Sequence, residues 1–171
     1  PSFEMNNAPS TSNQYSLFIN VQGDEPLIDP KLIDNLIQRL ERDRRLQMVT
    51  AATVLNKDEL SDFNRVKVVL DRMGRALYFS RAPIPYDRNG GGKPEPLLHL
   101  GIYGYRKAFL MEYVKWRPTP LEKAECLEQL RALEIGLSIG VTLVNSVPQE
   151  VNTPEDLRVV GAYFESHSDV R

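Results

Sequence analysis

Asp24 and Glu25 stand side by side at the end of the run Leu17-Phe18-Ile19-Asn20-Val21-Gln22-Gly23, and Pro26 follows them. An apolar run that stops at two acids reads as a strand covered on both faces that ends at the edge of a site. In open α/β sheets ligands collect just beyond the carboxyl ends of such strands. A carboxylate placed there is a hard oxygen donor where a metal–phosphate complex would sit, which makes Asp24 the leading candidate for chemistry. The bland alternative is that Asp24 and Glu25 only cap the following turn.

Other reactive residue types carry less. Asn89-Gly90-Gly91-Gly92-Lys93 has the composition of a phosphate loop, but it follows a proline-rich stretch and precedes no clear helix, so it reads as a flexible turn. Cys126 has no neighbouring histidine in sequence to mark it as a nucleophile and reads as a packed, inert thiol. His167 falls in a polar tail, and Lys115-Trp116-Arg117 reads as a helix end with an exposed or subunit-facing ring.

The elements that would position Asp24 follow from periodicity. Residues 1–14, rich in Ser, Asn and Pro, read as loop. Asp29-Pro30 has the form of an N-cap with proline at the first helical position. Leu32, Ile33, Leu36, Ile37 and Leu40 then recur at helical spacing towards Arg44-Arg45. Met48–Leu55 is a second buried strand, and Val66–Leu70 and Ala76–Ser80 flank Asp71-Arg72-Met73-Gly74 as a hairpin. The Pro- and Gly-rich segment 82–97 reads as a surface loop able to act as a lid. Leu98–Tyr105 returns as a strand, and Lys107–Trp116 and Leu121–Glu134 as helices, the second with Leu121, Ala124 and Leu127 on its apolar face. Ser138–Val144 is a last strand, and Thr153-Pro154-Glu155-Asp156 opens the final helix with cap, proline and acids in their preferred places.

With 171 residues, 42% apolar and 26% charged, the chain has the size and composition of one soluble domain. A net charge of -2 argues against a general binder of phosphate backbones, so the expected partner is a small molecule and not nucleic acid. A single cysteine forms no internal disulfide, and no apolar run approaches the length of a membrane span. The expectation is a cytoplasmic protein without a membrane partner.

Six ordered segments carry a resemblance. NVQGDEPLI (20–28), VKVVLD (66–71), ALYFSRAPIP (76–85), HLGIYGYR (99–106), PLEKAECLEQLR (120–131) and VNTPEDL (151–157) resemble, in the same order, the 3-deoxy-manno-octulosonate cytidylyltransferases, or CMP-Kdo synthetases. The resemblance spans roughly residues 17–163, and HLGIYGYR with LEQLR belongs to this family more narrowly than to nucleotidyltransferases at large.

It implies an α/β nucleotidyltransferase-type three-layer sandwich with a mostly parallel mixed sheet, one domain over 1–171, and a dimerisation hairpin region at 63–106 that makes a homodimer. It also implies transfer of CMP from CTP to the sugar acid Kdo, with release of pyrophosphate, on the way to lipopolysaccharide. Magnesium would be the cofactor, since attack by a sugar hydroxyl on a phosphorus needs charge neutralisation. By resemblance Asp24 is the catalytic metal ligand, Gln22 contacts the sugar acid, and Arg81, His99, Tyr103, Glu128 and Gln129 line its pocket. Each of these five also has an ordinary reading as a strand-end charge, a satisfied strand residue or a polar helix face.

Two departures accompany the resemblance. Where the family has an aspartate as second metal ligand, this chain has Asn152, whose amide oxygen is a hard donor without charge. The family's opening strand and basic loop, of the form A-R-x-x-S-x-R-L-P-x-K-P-L, has no counterpart in these residues. Two alternatives therefore stay open beside the synthetase: a cytidylyltransferase for a related sugar acid such as an amino-substituted Kdo, and a non-catalytic fragment that keeps only the sugar-acid pocket and dimer surface.

Overall fold

The computed structural model describes residues 16–91, 94–145, 149, 151 and 153–167. Residues 1–14, Gly92, Lys93 and Asn152, about which the sequence raises expectations, lie outside the described residues.

Capping chemistry starts the two long helices. In α1 (Pro30–Arg42) the Asp29 carboxylate accepts from the Lys31 N–H at 2.9 Å, and Pro30 occupies a first-turn position where no N–H is needed. Arg39 and Arg42 in its last turn face the negative end of the helix dipole. In α5 (Pro154–Ser166) the Asp156 N–H donates to Thr153 Oγ1 at 3.2 Å, and the Thr153 N–H donates back to the Asp156 carboxylate at 2.8 Å, a reciprocal capping box.

Among the described residues, six strands form one sheet. They are β1 (Leu17–Asn20), β2 (Met48–Val54), β3 (Lys67–Leu70), β4 (Ala76–Ser80), β5 (Leu97–Arg106) and β6 (Ile139–Leu143), in the order β4-β3-β5-β2-β6 with β1 also paired to β5. Leu32, Leu36 and Leu40 of α1 cover one face, against Val49, Leu100 and Ile102. On the other face Phe79, Tyr105 and Val141 pack with Phe109 and Tyr113 of α2 (Lys107–Tyr113) and Leu130 of α4 (Leu130–Glu134). The three expected layers are present, and β2, apolar on both sides, is buried along all but its last residue.

The sheet is mixed, as expected, but the expectation that it is mostly parallel is corrected. Among the described residues β5 runs antiparallel to β1, β2 and β3, β3 and β4 form an antiparallel hairpin, and only β2 and β6 are parallel. The cause is β5, whose ten residues run against three neighbours at once. β1 is not covered on both faces either. Phe18 is 41% exposed and, with Asn20, faces an open cleft beside α2, so the strand alternates instead of burying both sides.

The helix expected over Leu121–Glu134 is broken. α3 (Pro120–Glu125) ends at Cys126 with φ 53° and ψ 48°, a left-handed conformation, and the Leu127 N–H reaches back to the Glu122 carbonyl at 3.1 Å. A side chain in that region costs on the order of 1–3 kcal/mol. The turn is held by what it allows: Leu127 and Leu130 enter the core, and Glu122 meets Arg131. Cys126 is therefore exposed and not packed, and Leu121 and Ala124 also face outward. Trp116, expected to be exposed or to face a second subunit, is half-buried and sits edge-on to Phe109 and Tyr113 at 5.8 and 5.6 Å between ring centroids.

The hairpin closes on its own chain. Asp71 Oδ1 accepts from the Met73 and Arg75 N–H groups, and Gly74 takes the positive φ of 68° that completes the turn. Its tip then reaches the edge of β6, where the Val141 N–H donates to the Gly74 carbonyl at 2.8 Å.

Candidate active site

β1 and β3 share one edge of β5 without meeting. β3 pairs with Leu97 and Leu98, β1 pairs with Tyr103 to Arg106, and the segment between is left to other partners. The His99 N–H donates to the Val66 carbonyl at 2.8 Å, and Gln22 Nε2 donates to the Gly101 carbonyl at 3.4 Å. A cleft of about 380 Å³ opens there, with Asp62, Asn64 and Arg65 facing His99, Leu100 and Gly101. The divergence of two strands thus makes a site in the middle of a sheet edge.

The opposite edge of β5 carries a bulge. Thr50 lies opposite Tyr103 but Ala51 lies opposite Leu100, so Gly101 and Ile102 are extra on β5. The buried Thr50 hydroxyl fills the distortion, 3.0 Å from the Leu100 carbonyl, 2.7 Å from the Ile102 carbonyl and 3.0 Å from His99 Nε2. Its one proton goes to a carbonyl, so its oxygen is left to accept from His99 Nε2–H. That fixes the tautomer with Nδ1 as acceptor. The ring packs on Phe79 at 4.9 Å and Tyr103 at 5.5 Å, and burial pushes its pKa down to about 3, although part of the residue stays open to the cleft. His99 is a neutral imidazole at neutral pH.

This has a measurable consequence for stability. Unfolded, His99 protonates near pH 6.5, whereas folded it resists to about pH 3, so the unfolded state binds more protons between those values. The stabilising contribution is present above pH 6.5 and is lost as pH falls below it, with a slope of up to about 1.4 kcal/mol per pH unit. Urea unfolding at pH 7, 6 and 5 is expected to show a steeper acid loss for the wild type than for His99→Gln. Parallel curves would mean that His99 charges freely in the fold.

The break between α3 and α4 supplies the next residues. Glu128 and Gln129 lie in the link and not on a polar helix face: Glu128 is exposed, while Gln129 is 3% exposed. The Gln129 Nε2 group is buried with no hydrogen-bond partner among the described residues. The Tyr113 hydroxyl donates to the Glu128 carbonyl at 2.7 Å. Burial pushes the phenols of Tyr103, Tyr105 and Tyr113 up, and the nearby Glu128 charge adds to it, so all three remain O–H donors. Glu128 also lines a second cleft, of about 350 Å³, between β1 and α2.

Arg81 is used differently from the expectation. Its Nε donates to the Glu125 carbonyl at 2.8 Å, Nη1 to the Phe63 carbonyl at 3.0 Å and Nη2 to the Cys126 carbonyl at 3.4 Å. Three of its five N–H donors therefore clamp the end of β4 to the last turn of α3 and to the loop at Phe63. The clamp still sets the guanidinium beside the Cys126–Gln129 link. The Glu125 carboxylate completes it, accepting from Ser80 Oγ at 2.6 Å and from the Arg81 N–H at 2.9 Å.

Asp24 is exposed in the turn after β1, and its carbonyl accepts from the Val151 N–H at 2.8 Å. The residue directly before Asn152 thus lies against Asp24. Among the described residues no group of three or more His, Cys, Asp or Glu side chains gathers as a metal site. A single carboxylate still fits magnesium, which takes one or two carboxylates and completes its shell with phosphates and waters.

Sequence reasoning missed Thr50, Glu125 and Lys67. Lys67 is fully buried, its Nζ donates to the Asp62 carbonyl at 2.8 Å and the Arg81 carbonyl at 2.6 Å, and burial pushes its pKa down. Lys67 had a signal, a lone charged residue in the run Val66–Leu70, whereas Thr50 shares its strand with Thr53 and had none. The fold brings Gln22, His99 and Tyr103 together along β5, with Asp24 following Gln22 and Arg81 beside the α3–α4 link. Among the described residues, neither cleft collects all of them.

Comparison with known proteins adds to this geometry. Residues 3–139 match a family model described as cytidylyltransferase. The 3-deoxy-manno-octulosonate cytidylyltransferase of Aliivibrio fischeri (strain MJ11) is 46% identical over 153 residues, covering 85% of this chain and 61% of the relative. The Zea mays protein of the same name is 41% identical over 156 residues, covering 90% of this chain and 52% of the relative. A solved structure of CMP:2-keto-3-deoxy-manno-octonic acid synthetase complexed with CTP superposes with a TM-score of 0.83 at 37% identity, over 91% of this chain and 64% of that one. The chain spans 52–61% of the length of these two curated relatives.

Proposed function

The chain belongs to the cytidylyltransferase family, and from that membership we propose that it is part of an enzyme that transfers CMP from CTP to 3-deoxy-manno-octulosonate (Kdo). A sugar hydroxyl oxygen bonds to the α-phosphorus of CTP, the bond from that phosphorus to the pyrophosphate oxygen breaks, and the hydroxyl proton is lost. The observation that carries the reading is the contact of Asp24 with Val151 at the end of β1, beside the β5 edge that bears His99 and Tyr103. It draws further support from the relatives' names and from the superposed synthetase with its CTP.

Magnesium, when bound, would neutralise charge on the reacting phosphates and favour ionisation of the attacking hydroxyl. Asp24 would hold it, and Asn152 is, by resemblance, the second oxygen donor. Kdo offers a carboxylate and several hydroxyls. Neutral His99, fixed by Thr50, presents Nδ1 as an acceptor for a hydroxyl, and Gln22 adds an amide at the same edge. The buried Gln129 Nε2, the Tyr103 hydroxyl and the N–H donors of Arg81 outside its clamp are suited to the carboxylate. Glu128 supplies acceptors for hydroxyls. A homodimer and a cytoplasmic setting belong to the same reading, with the exposed Met73 and Leu77 of the hairpin as apolar surface for a second subunit.

Calorimetry with Kdo, and separately with CTP and magnesium, tests the site. Kdo is expected to bind saturably, and His99→Ala to weaken Kdo about tenfold or more while changing CTP binding less than about twofold, the usual size of a lost buried hydrogen bond. No Kdo binding would defeat the reading, and equal losses for both ligands would remove His99 from the sugar pocket.

A further inference from the structure

On the far side of β2 from His99, α1, the hairpin tip and the edge of β6 enclose a cleft of about 340 Å³. Arg39 and Arg42 stand one turn apart on its α1 wall, Thr142 lies on its β6 wall, and no acidic residue among the described residues lines it. Of the acids nearby in sequence or at the hairpin, Asp43 pairs with Arg45 while also feeling the Arg39 charge, and Asp71 pairs with Arg75. Among the described residues neither Arg39 nor Arg42 forms an ion pair.

Two residues that line this cleft each carry a buried side-chain atom without a hydrogen-bond partner among the described residues, Arg39 Nε and Thr142 Oγ1. Arg39 is held rigidly by its other end, with Nη2 donating to the Met73 carbonyl at 2.7 Å and to the Gly74 carbonyl at 3.4 Å. Its Nε lies over Gly140, where an added Cβ would come 2.6 Å from Leu46 Cδ1 and 3.3 Å from Arg39 Nε, so the glycine leaves room for both side chains there. Arg42, on the same wall of the cleft, is exposed and donates to Gln38 Oε1 at 3.1 Å. Strand alternation adds a backbone donor: the Val141 N–H points outward to Gly74, so the Leu143 N–H points to the same edge.

We propose that this cleft binds a phosphoryl oxyanion, held by the guanidinium groups of Arg39 and Arg42 with the Thr142 hydroxyl and the Leu143 N–H as neutral donors. Two cations, one of them held in place, and two neutral donors suit the three free oxygens of a phosphoryl group better than the two of a carboxylate. A buried charged donor without an acceptor is unfavourable, and such an anion relieves it. The site is independent of the reading given for the β5 edge.

NMR titration of the protein with inorganic phosphate, followed at the Leu143, Thr142 and Gly74 amides, tests it. Saturable shifts are expected with millimolar affinity, and Arg42→Gln and Thr142→Val are each expected to weaken binding about fivefold or more while leaving the remaining amides in place. Shifts that never saturate, that potassium chloride reproduces at equal ionic strength, or that persist unchanged in both variants would overturn the proposal. CMP in a second titration separates the sources. Tighter binding than phosphate at these amides supports a phosphate group carried on a larger molecule, and equal binding supports the free ion.

Discussion

Asp24→Ala is expected to reduce pyrophosphate release from CTP and Kdo by about 10³-fold or more. The magnitude follows from the several kcal/mol that a metal contributes to charge stabilisation in phosphoryl transfer, at about 1.4 kcal/mol per tenfold in rate. Stability should barely change, because the structural bond made by Asp24 comes from its main-chain carbonyl to Val151, which alanine keeps. Asp24→Asn separates charge from oxygen donation: it should raise the magnesium concentration needed for half-maximal rate more than the concentration of Kdo. Asn152→Asp should do the reverse and lower the magnesium requirement by adding a carboxylate next to Val151. The competing reading, a turn cap, predicts a loss of about 1 kcal/mol in stability with the rate within about twofold of wild type. Thermal unfolding and a coupled pyrophosphate assay on the same preparations decide between them.

The parts of the fold that were legible in the sequence are those fixed by local chemistry. Asp29-Pro30 and Thr153-Pro154 announce helix starts because the cap and the proline act within one turn. The apolar run of β2 announces burial on both faces because each residue carries its own transfer free energy. Strand direction and helix continuity depend on distant residues and were not legible. Nothing in Leu121–Glu134 marks Cys126 as a left-handed residue, since it is neither glycine nor asparagine.

The same distinction divides the site. Asp24 and Gln22 follow β1 directly, and His99 and Tyr103 share β5, so a local motif locates them. The clamp role of Arg81 was hidden because its acceptors, Phe63, Glu125 and Cys126, lie 18 to 45 residues away. Arg39 was hidden in the same way, being an ordinary helix-end cation until the hairpin tip arrives over it.

The cause of the helix break is itself open to test, and it is the second large effect expected. In one continuous helix, residues nine apart point to opposite sides, because nine steps of 100° make two and a half turns. Glu122 and Arg131 can meet only if the helix stops between them, and they do meet: Arg131 Nε donates to Glu122 Oε2 at 2.7 Å and Arg131 Nη2 to Glu122 Oε1, a two-point contact with both side chains about 10% exposed. The pair is well supplied with further partners. Arg131 Nη1 donates to the Trp116 carbonyl at 3.3 Å, its guanidinium lies 5.1 Å from the Tyr113 ring centre, and Glu122 Oε2 accepts from the Thr119 N–H at 3.1 Å.

Arg131→Met or Glu122→Gln alone is therefore expected to cost about 3–5 kcal/mol, because each leaves the other group buried without its counter-charge. The double variant is expected to cost less than the sum, with a coupling energy of about 2 kcal/mol or more. The Arg131 hydrogen bonds hold the Glu122 carboxyl below its ordinary value, so this contribution is present above pH 4.5 and is lost as pH falls through the lower folded value. Both single variants should also weaken Kdo binding, since Glu128 and Gln129 sit in the link that the pair closes. Urea unfolding of the four proteins measures the coupling. A value near zero would mean that Leu127 and Leu130 alone hold the left-handed turn, and that the ion pair follows the break instead of making it.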